Sequence, residues 1–194
     1  MKVSWWEILA AGIAGALVVL PLRSGRAQAA DSALPEWRRV MLECIREHAR
    51  LGTLYQWGGG HGWRDPEYGL DCSGLALHCA KRAGIELYMV ANDMYQKLPE
   101  VYVPQPGDLA LYGSPQHANH VRVVEAWYPD EGRAATIGAE GGGSKVNDPV
   151  KAEQIDARVR RIDDHRGKYF LGFRTFDGYN GRAQLKHVGW KGAG

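Results

Sequence analysis

The sequence predicts an α+β fold, in which N-terminal helices pack on one central antiparallel sheet of about five or six strands. Two observations lead to this prediction. Apolar residues recur at helical spacing up to residue 98, and short β-branched or alternating runs follow residue 106. The chain has 194 residues, of which 45% are hydrophobic, so it is long enough to form one domain with its own core.

Three helices are expected in the first half of the chain. Pro35 is typical of a first helical turn, and Gly52 and Gly84 are typical of helix ends. The segment 55–70 is rich in glycine and aromatic residues and is predicted to be a loop. The expected helices span Leu34 to about Leu51, Cys72 to about Ala83, and residues 92–98.

Five strands are expected in the second half, because short β-branched or alternating runs are separated there by turn residues. Residues 31–177 are therefore predicted to form one catalytic domain, and residues 178–194 an irregular C-terminal tail. The expected strands span residues 108–112, 120–127, 133–137, 159–163 and 169–176.

The first thirty residues are predicted to be separate from this domain. Lys2 supplies a positive start, residues 8–22 form an apolar run, and residues 27–29 read Ala-Gln-Ala, which is typical of a cleaved secretory signal peptide. Two tryptophans before the run and two arginines after it leave two alternatives open, a membrane anchor through residues 5–22 and an internal helix. Cleavage or anchoring would make this an exported protein of the periplasm, cell envelope, extracellular space or a virion.

The charge and the cysteines exclude several function classes. A net charge of +2 does not require a nucleic-acid partner and is compatible with an anionic wall polymer. Cys44, Cys72 and Cys79 form no CxxC pair and no zinc-finger spacing, so neither a structural metal nor a cofactor is expected. For Cys44 and Cys79, packing in the core as thiols is favoured, and a mutual disulfide is the alternative in an exported chain.

The segment Asp71-Cys72-Ser73-Gly74 holds the candidate nucleophile. Asp71 is a suitable N-cap, which places Cys72 in the first turn of a helix. The free N–H groups and the dipole of a helix N-terminus stabilise a thiolate, the reactive form of cysteine. A buried cysteine that merely begins a helix is the alternative interpretation.

His120 is the candidate base, because it opens a predicted strand and can reach a helix N-terminus from the sheet. His117 competes for this role from the preceding loop. A base histidine is usually oriented by a polar partner, for which Glu140 is the candidate and Asn147 the fallback. A solvent-exposed loop glutamate is the alternative interpretation of Glu140.

Four motifs in this order resemble those of the NlpC/P60 family of cell-wall cysteine peptidases. The resemblance covers about Pro35 to Phe176 and implies a papain-like fold. It also implies hydrolysis of the γ-D-glutamyl–diamino acid bond in peptidoglycan stem peptides or muropeptides. The motifs are Tyr55-Gln56-Trp57-Gly58-Gly59, Leu70-Asp71-Cys72-Ser73-Gly74, Pro106-Gly107-Asp108-Leu109 and His120-Val121.

The resemblance implies that Cys72 is the nucleophile and His120 the general base. By the same resemblance, Tyr55, Asp71 and Ser73 are expected to contact the substrate.

Two positions depart from the family pattern. Arg122 stands where glycine is usual, and it is expected to narrow the cleft or to bind a substrate carboxylate if it points there. The third catalytic position is commonly histidine, asparagine or glutamine, whereas the candidate here is Glu140. Two other functions remain open, an amidase or acyltransferase with the same Cys–His pair and an inactive wall-binding module; the oligomeric state is also open.

Overall fold

The computed structural model describes residues 31–61 and 69–179. The predicted signal or anchor segment, part of the predicted loop and the tail from residue 180 lie outside the described residues. The chain divides into two compact units after Leu34. In the first unit, the described residues form a turn in which the Leu34 N–H donates to the Asp31 carbonyl at 3.1 Å. The second unit, from Pro35, holds the sheet and the helices that pack on it.

The described residues of the second unit form four α-helices and a six-stranded antiparallel sheet, which confirms the predicted α+β class. The strands lie in the order β1-β6-β2-β3-β4-β5, and every neighbouring pair is antiparallel. A 3₁₀ turn at Pro129–Glu131 joins β3 to β4. The helices are α1 (Glu36–Leu51), α2 (Cys72–Arg82), α3 (Ala91–Lys97) and α4 (Pro149–Gln154). The strands are β1 (Glu100–Val101), β2 (Leu109–Ser114), β3 (His117–Tyr128), β4 (Arg133–Glu140), β5 (Arg158–Ile162) and β6 (Phe170–Arg174).

The predicted elements need three corrections, one at a boundary and two at short elements that were not predicted. The strand expected from residue 120 begins at His117, so this histidine lies in β3 and not in a loop. Strand β1 has two residues and helix α4 has six, and neither is long enough to show a hydrophobic period. The predicted end of α1 is confirmed, since Gly52 adopts the left-handed conformation at φ 61°.

The helices pack on one face of the sheet and a smaller aromatic cluster covers the other. Val121, Val123 and Ile137 belong to the larger cluster, together with buried residues of α1, α2 and α3. On the opposite face, Tyr112 and Phe173 pack in a second cluster. The sheet therefore carries side chains on both faces, and the ring of His120 on β3 lies 5.8 Å from the ring of Tyr112 in the second cluster.

A buried ion pair explains the motif at residues 106–109. The Arg38 guanidinium of α1 donates to the Pro106 carbonyl at 2.8 Å and to Asp108 Oδ1 at 2.8 Å. Asp108 Oδ2 accepts from the Gln105 N–H at 2.7 Å. Since Arg38 and Asp108 are each 1% exposed, these bonds hold the start of β2 against α1.

Cys44 and Cys79 form a disulfide between α1 and α2. The favoured prediction, packing as free thiols, was therefore wrong, and the alternative is correct. Apolar spacing places each cysteine on the inner face of its helix, but only the packing of the two helices brings their Cα atoms to 5.5 Å. Among the described cysteines, Cys72 alone is a free thiol.

We expect the double variant Cys44→Ala/Cys79→Ala to lose about 3 to 4 kcal/mol in the free energy of unfolding, since the bridge closes a loop between residues 35 apart. Urea unfolding monitored by tryptophan fluorescence would measure this loss. Cys72→Ala is the matched control, because it removes a sulfur without opening the bridge. Equal stability of the double variant and the control would contradict the prediction.

Within the described ranges, no helix combines the length and the apolar character needed to cross a bilayer.

Candidate active site

Cys72 is the first residue of α2 and is 9% exposed. Asp71 is the N-cap, as predicted, and its Oδ1 accepts a hydrogen bond from the Gly74 N–H at 2.6 Å. A Cβ at Gly74 would lie 1.7 Å from the Gly59 carbonyl oxygen, so glycine is required where the preceding loop touches the helix. The cysteine thus lies in the first turn of a capped helix, next to the free N–H groups of that turn.

A buried network surrounds the N-cap. Asp71 Oδ2 accepts from the Gly58 N–H at 2.9 Å, and Oδ1 lies 3.0 Å from His61 Nε2 and 3.1 Å from Ser73 Oγ. His61 Nε2 is also 3.0 Å from Ser73 Oγ. Burial raises the pKa of Asp71, but the hydrogen bonds from His61 and from the backbone of Gly74 and Gly58 outweigh burial and hold that pKa below its usual range.

This network shows what sequence reasoning missed. His61 is 3% exposed and holds both residues that flank Cys72, yet it follows a glycine-rich loop with no period that would single it out. Asp71 and Ser73 form hydrogen bonds with each other, with His61 and with the backbone N–H groups of Gly58 and Gly74. These bonds hold the loop against the start of α2, and the expected contact of the two side chains with substrate stays a prediction.

Tyr55 precedes the network and is 4% exposed. Its backbone N–H donates to the Ala157 carbonyl at 2.9 Å, which holds the residue between the loop and the sheet. Burial raises the pKa of Tyr55 above its usual value, and the neighbouring Cys72 and Asp71 raise it further. The phenol therefore stays protonated next to the cysteine and remains a hydrogen-bond donor.

His120 and Glu140 meet across the adjacent strands β3 and β4. His120 Nε2 lies 2.8 Å from Glu140 Oε1. Since Glu140 occupies Nε2, Nδ1 is the ring nitrogen of His120 that remains available to the neighbouring Cys72. Glu140 is 9% exposed and is therefore not a solvent-exposed loop residue, whereas Asn147 is exposed.

Arg122 lies behind this pair and binds Glu140 with two parallel hydrogen bonds. Its Nε is 2.7 Å from Oε1 and its Nη2 is 2.9 Å from Oε2. The guanidinium also lies 4.6 Å from the centre of the Tyr112 ring. A Cβ at Gly138 would lie 2.7 Å from Glu140 Oε1 and 2.8 Å from Arg122 Cγ. Glu140 and Arg122 therefore occupy the space that a side chain at position 138 would fill.

The electrostatics of these residues favour a charged histidine. Burial lowers the pKa of His120, but its interactions with the neighbouring Cys72 and Glu140 outweigh burial and raise the pKa to about 9. Burial raises the pKa of Glu140, but the hydrogen bonds from His120 and Arg122 outweigh burial and lower the pKa to about 2. At neutral pH the site therefore holds an imidazolium and a carboxylate.

We expect the His120 imidazole to titrate near pH 9, and to titrate closer to 6.5 in Glu140→Gln, because the amide removes one of the charges that favour the imidazolium. Histidine NMR chemical shifts measured against pH would test both values. Glu43→Gln on α1 is a control, since this substitution also removes one carboxylate. An unperturbed midpoint in the wild type would contradict the described pairing.

The cleft next to Cys72 is a cavity of about 440 Å³. Trp57 and Asn92 line this cavity together with Cys72 and its two neighbours in sequence. His117 also lines the cavity, and it is exposed. Of the residues predicted from sequence, Asp71, Cys72 and Ser73 thus line this cavity, whereas His120 and Glu140 are not among its lining residues.

One group in the described part of the chain has the side chains of a metal site. Ligand atoms of Cys44, His48 and His78 lie within 4.8 Å of one another. The Cys44 sulfur is bonded to Cys79, however, so it cannot act as the thiolate that such a site requires.

The fold and the site together define a papain-like α+β domain, with a cysteine on a capped helix and a neighbouring histidine on the sheet. The profile of the NlpC/P60 family matches residues 52–170. The match spans more than half of the chain, and the chain therefore belongs to the NlpC/P60 family.

Individual relatives share low sequence identity with this chain. The chain is 28% identical over 164 residues to the peptidoglycan endopeptidase RipA of Mycolicibacterium smegmatis, an alignment that covers 77% of this chain and 31% of RipA. The chain thus spans about a third of the length of this curated relative.

Two solved structures show the same fold. A lipoprotein-like NLP/P60 protein of Staphylococcus aureus superposes with a TM-score of 0.51 and 22% identity, covering 73% of this chain and 41% of that protein. RipD of Mycobacterium tuberculosis, described as a non-catalytic NlpC/p60 domain protein adapted to peptidoglycan binding, superposes with a TM-score of 0.51 and 18% identity, covering 72% and 96%.

Proposed function

We propose that this protein is a cysteine peptidase that hydrolyses amide bonds in peptidoglycan stem peptides, at the γ-D-glutamyl–diamino acid bond. The observation that carries the proposal is the arrangement of Cys72 at a capped helix N-terminus beside His120, whose Nε2 lies 2.8 Å from Glu140 Oε1. The name of the mycobacterial relative supports peptidoglycan as the substrate.

In the proposed mechanism, the Cys72 thiolate attacks the amide carbonyl carbon and forms a tetrahedral intermediate. His120 donates its Nδ1 proton to the amide nitrogen, so that the C–N bond breaks and the amine departs, leaving a thioester on Cys72. Neutral His120 then takes a proton from water, and the hydroxide releases the acid and regenerates the thiolate. N–H groups of the first helical turn and the Tyr55 hydroxyl are suited to stabilise the oxyanion.

Glu140 and Arg122 have positioning roles in this proposal. Glu140 holds the imidazole so that Nδ1 faces Cys72, and it stabilises the imidazolium that donates the proton. Arg122 binds both oxygens of Glu140 and thereby restricts its rotation. A carboxylate in the third catalytic position, Glu140, therefore stabilises the His120 imidazolium by its negative charge, whereas a neutral amide would not.

We also propose that the protein acts outside the cytoplasm, as the predicted leader and the substrate imply. The Cys44–Cys79 disulfide supports this location, since such bonds persist in oxidising compartments.

Digestion of purified muropeptides, followed by mass spectrometry of the products, tests the proposed activity. The expected products are a fragment that ends in D-glutamate and a peptide with a new diamino acid N-terminus. Intact stem peptides after prolonged incubation, combined with turnover of another amide, would instead favour an amidase or acyltransferase that uses the same pair.

A peptidoglycan-binding module without catalysis is the second candidate, because RipD has this fold and is described as non-catalytic. The two candidates differ in the reactivity of Cys72. A catalytic thiolate is expected to react with iodoacetamide at neutral pH faster than free cysteine, whereas a structural thiol reacts more slowly. Cys44 and Cys79 do not interfere, since the disulfide protects both from alkylation.

A further inference from the structure

A group of four metal-binding side chains lies where α1 and α2 pack together, and none of the four lines the cleft around Cys72. Ligand atoms of Cys44, His48 and His78 lie within 4.8 Å of one another, and Cys79 joins them through its bond to Cys44. Each helix supplies one cysteine and one histidine. These four residues are called the interhelical cluster.

The two histidines of the cluster are able to bind a cation. His48 Nδ1 lies 2.9 Å from the Thr53 hydroxyl, which leaves Nε2 as the nitrogen available to a metal. A hydrogen bond on one ring nitrogen is the usual way in which a metal-binding imidazole is held in orientation. The rings of His48 and His78 are 5.2 Å apart, and within the described residues no hydrogen bond occupies either nitrogen of His78.

The disulfide decides whether the two sulfurs can bind a metal. While Cys44 and Cys79 are bonded to each other, neither is a thiolate. A dithiol reductant opens this bond by exchange, so that the reductant becomes a disulfide and each cysteine becomes a thiol. Zn²⁺ then displaces the two thiol protons, and the two thiolates balance the charge of the ion.

The spacing and the burial of the cluster suit such an ion. Zn–S bonds of about 2.3 Å and Zn–N bonds of about 2.0 to 2.1 Å place the ligand atoms of a tetrahedral site about 3.3 to 3.8 Å apart. The ligand atoms of Cys44, His48 and His78 are within 4.8 Å already, so small side-chain rotations suffice. The two sulfurs are buried and the two imidazoles are half-buried, and a cavity of about 190 Å³ that His78 lines gives an ion access.

We propose that the reduced form of this protein binds one Zn²⁺ in the interhelical cluster, and that the ion then replaces the disulfide as the link between α1 and α2. Two thiolates and two imidazoles are the ligand set of a closed, tetrahedral structural zinc site. The ion and the disulfide use the same sulfurs and therefore exclude each other. Helix α2, which begins at Cys72, is thus held against α1 in both oxidation states.

Titration of the full chain with Co²⁺ and then with Zn²⁺ tests this site. The titrated protein carries Cys72→Ala, so that its only cysteines are the two of the cluster. After reduction by a phosphine, we expect one Co²⁺ per chain, with the visible bands of tetrahedral coordination and a thiolate charge-transfer band in the near ultraviolet. Zn²⁺ should displace the Co²⁺, and the oxidised protein should show neither kind of band.

Histidine variants separate the cluster from binding by thiols alone. In the same background, His48→Ala and His78→Ala should each weaken Zn²⁺ binding by at least about 100-fold, because loss of an outer partner already costs about 10- to 100-fold and loss of a ligand costs more. His117→Ala is the matched control, since it removes an exposed imidazole outside the cluster. Unchanged affinity in both cluster variants, or Co²⁺ bound without the charge-transfer band, would overturn the proposal.

Thermal unfolding measured by circular dichroism gives an independent result. Zn²⁺ should raise the unfolding midpoint of the reduced protein and leave that of the oxidised protein unchanged, because an ion that binds only the folded state stabilises it. If reduction alone unfolds the chain, Zn²⁺ should restore the fold. An equal effect on both forms, or none on the reduced form, would overturn the zinc site and leave the proposed function at Cys72 in place.

Discussion

Replacement of Cys72 by alanine is expected to lower kcat for stem-peptide hydrolysis by about 10⁴-fold or more, because it removes the atom that forms the acyl-enzyme. Product formation from purified muropeptides, followed by mass spectrometry, would measure the loss. The fold should persist, since Cys72 lies at the start of α2 beside the cleft and a Cys→Ala change there costs about 1 kcal/mol.

Circular dichroism and the unfolding midpoint provide the control for that variant. Cys72→Ala should also lower the titration midpoint of His120, because one of the two groups that raise its pKa is lost. Persistent hydrolysis by a folded Cys72→Ala protein would disprove the assignment of the nucleophile.

Replacement of His120 by alanine is expected to reduce kcat/KM by about 10² to 10⁴-fold, since the leaving amine then lacks its proton donor. The variant also removes the cation beside Cys72, so alkylation by iodoacetamide should require a higher pH than in the wild type. Rates of alkylation measured from pH 5 to 10 would show this shift of the alkylation profile to higher pH.

His117 provides the comparison, because it also lines the cleft but does not contact Glu140 among the described residues. His117→Ala is expected to stay within about tenfold of the wild type and to keep the wild-type alkylation profile. The opposite result, a normal profile in His120→Ala and a displaced one in His117→Ala, would transfer the role of base to His117.

Local sequence pattern was sufficient for the elements that present Cys72. An aspartate before the first apolar-periodic residue predicts an N-cap, and the Asp71–Gly74 bond at 2.6 Å confirms it. Helical and alternating periods likewise predicted α1, α2 and the long strands, because these periods report directly which face of an element is buried. They carry no information about which residues of different elements touch.

The contacts between elements explain what the sequence alone left open or placed incorrectly. Cys44 and Cys79 each read as core residues, and only the packing of α1 on α2 makes them a bridge. His61 acquires its place beneath the N-cap from the fold of a glycine-rich loop, which no period describes.

Cys72 at a capped helix start and the α+β class were thus predictable from the chain itself, because capping and hydrophobic period act between residues close in sequence. His120 and Glu140 were candidates from their positions beside predicted strands, and their catalytic roles stay predictions. The 2.8 Å contact between His120 and Glu140 and the double hydrogen bond from Arg122 were decided by the tertiary structure, as was the place of Arg166 and Lys168 near His120. These features depend on the register of β3 against β4 and on the placement of the segment between β5 and β6. Register and loop placement are set by packing across the whole sheet, which a local pattern does not encode.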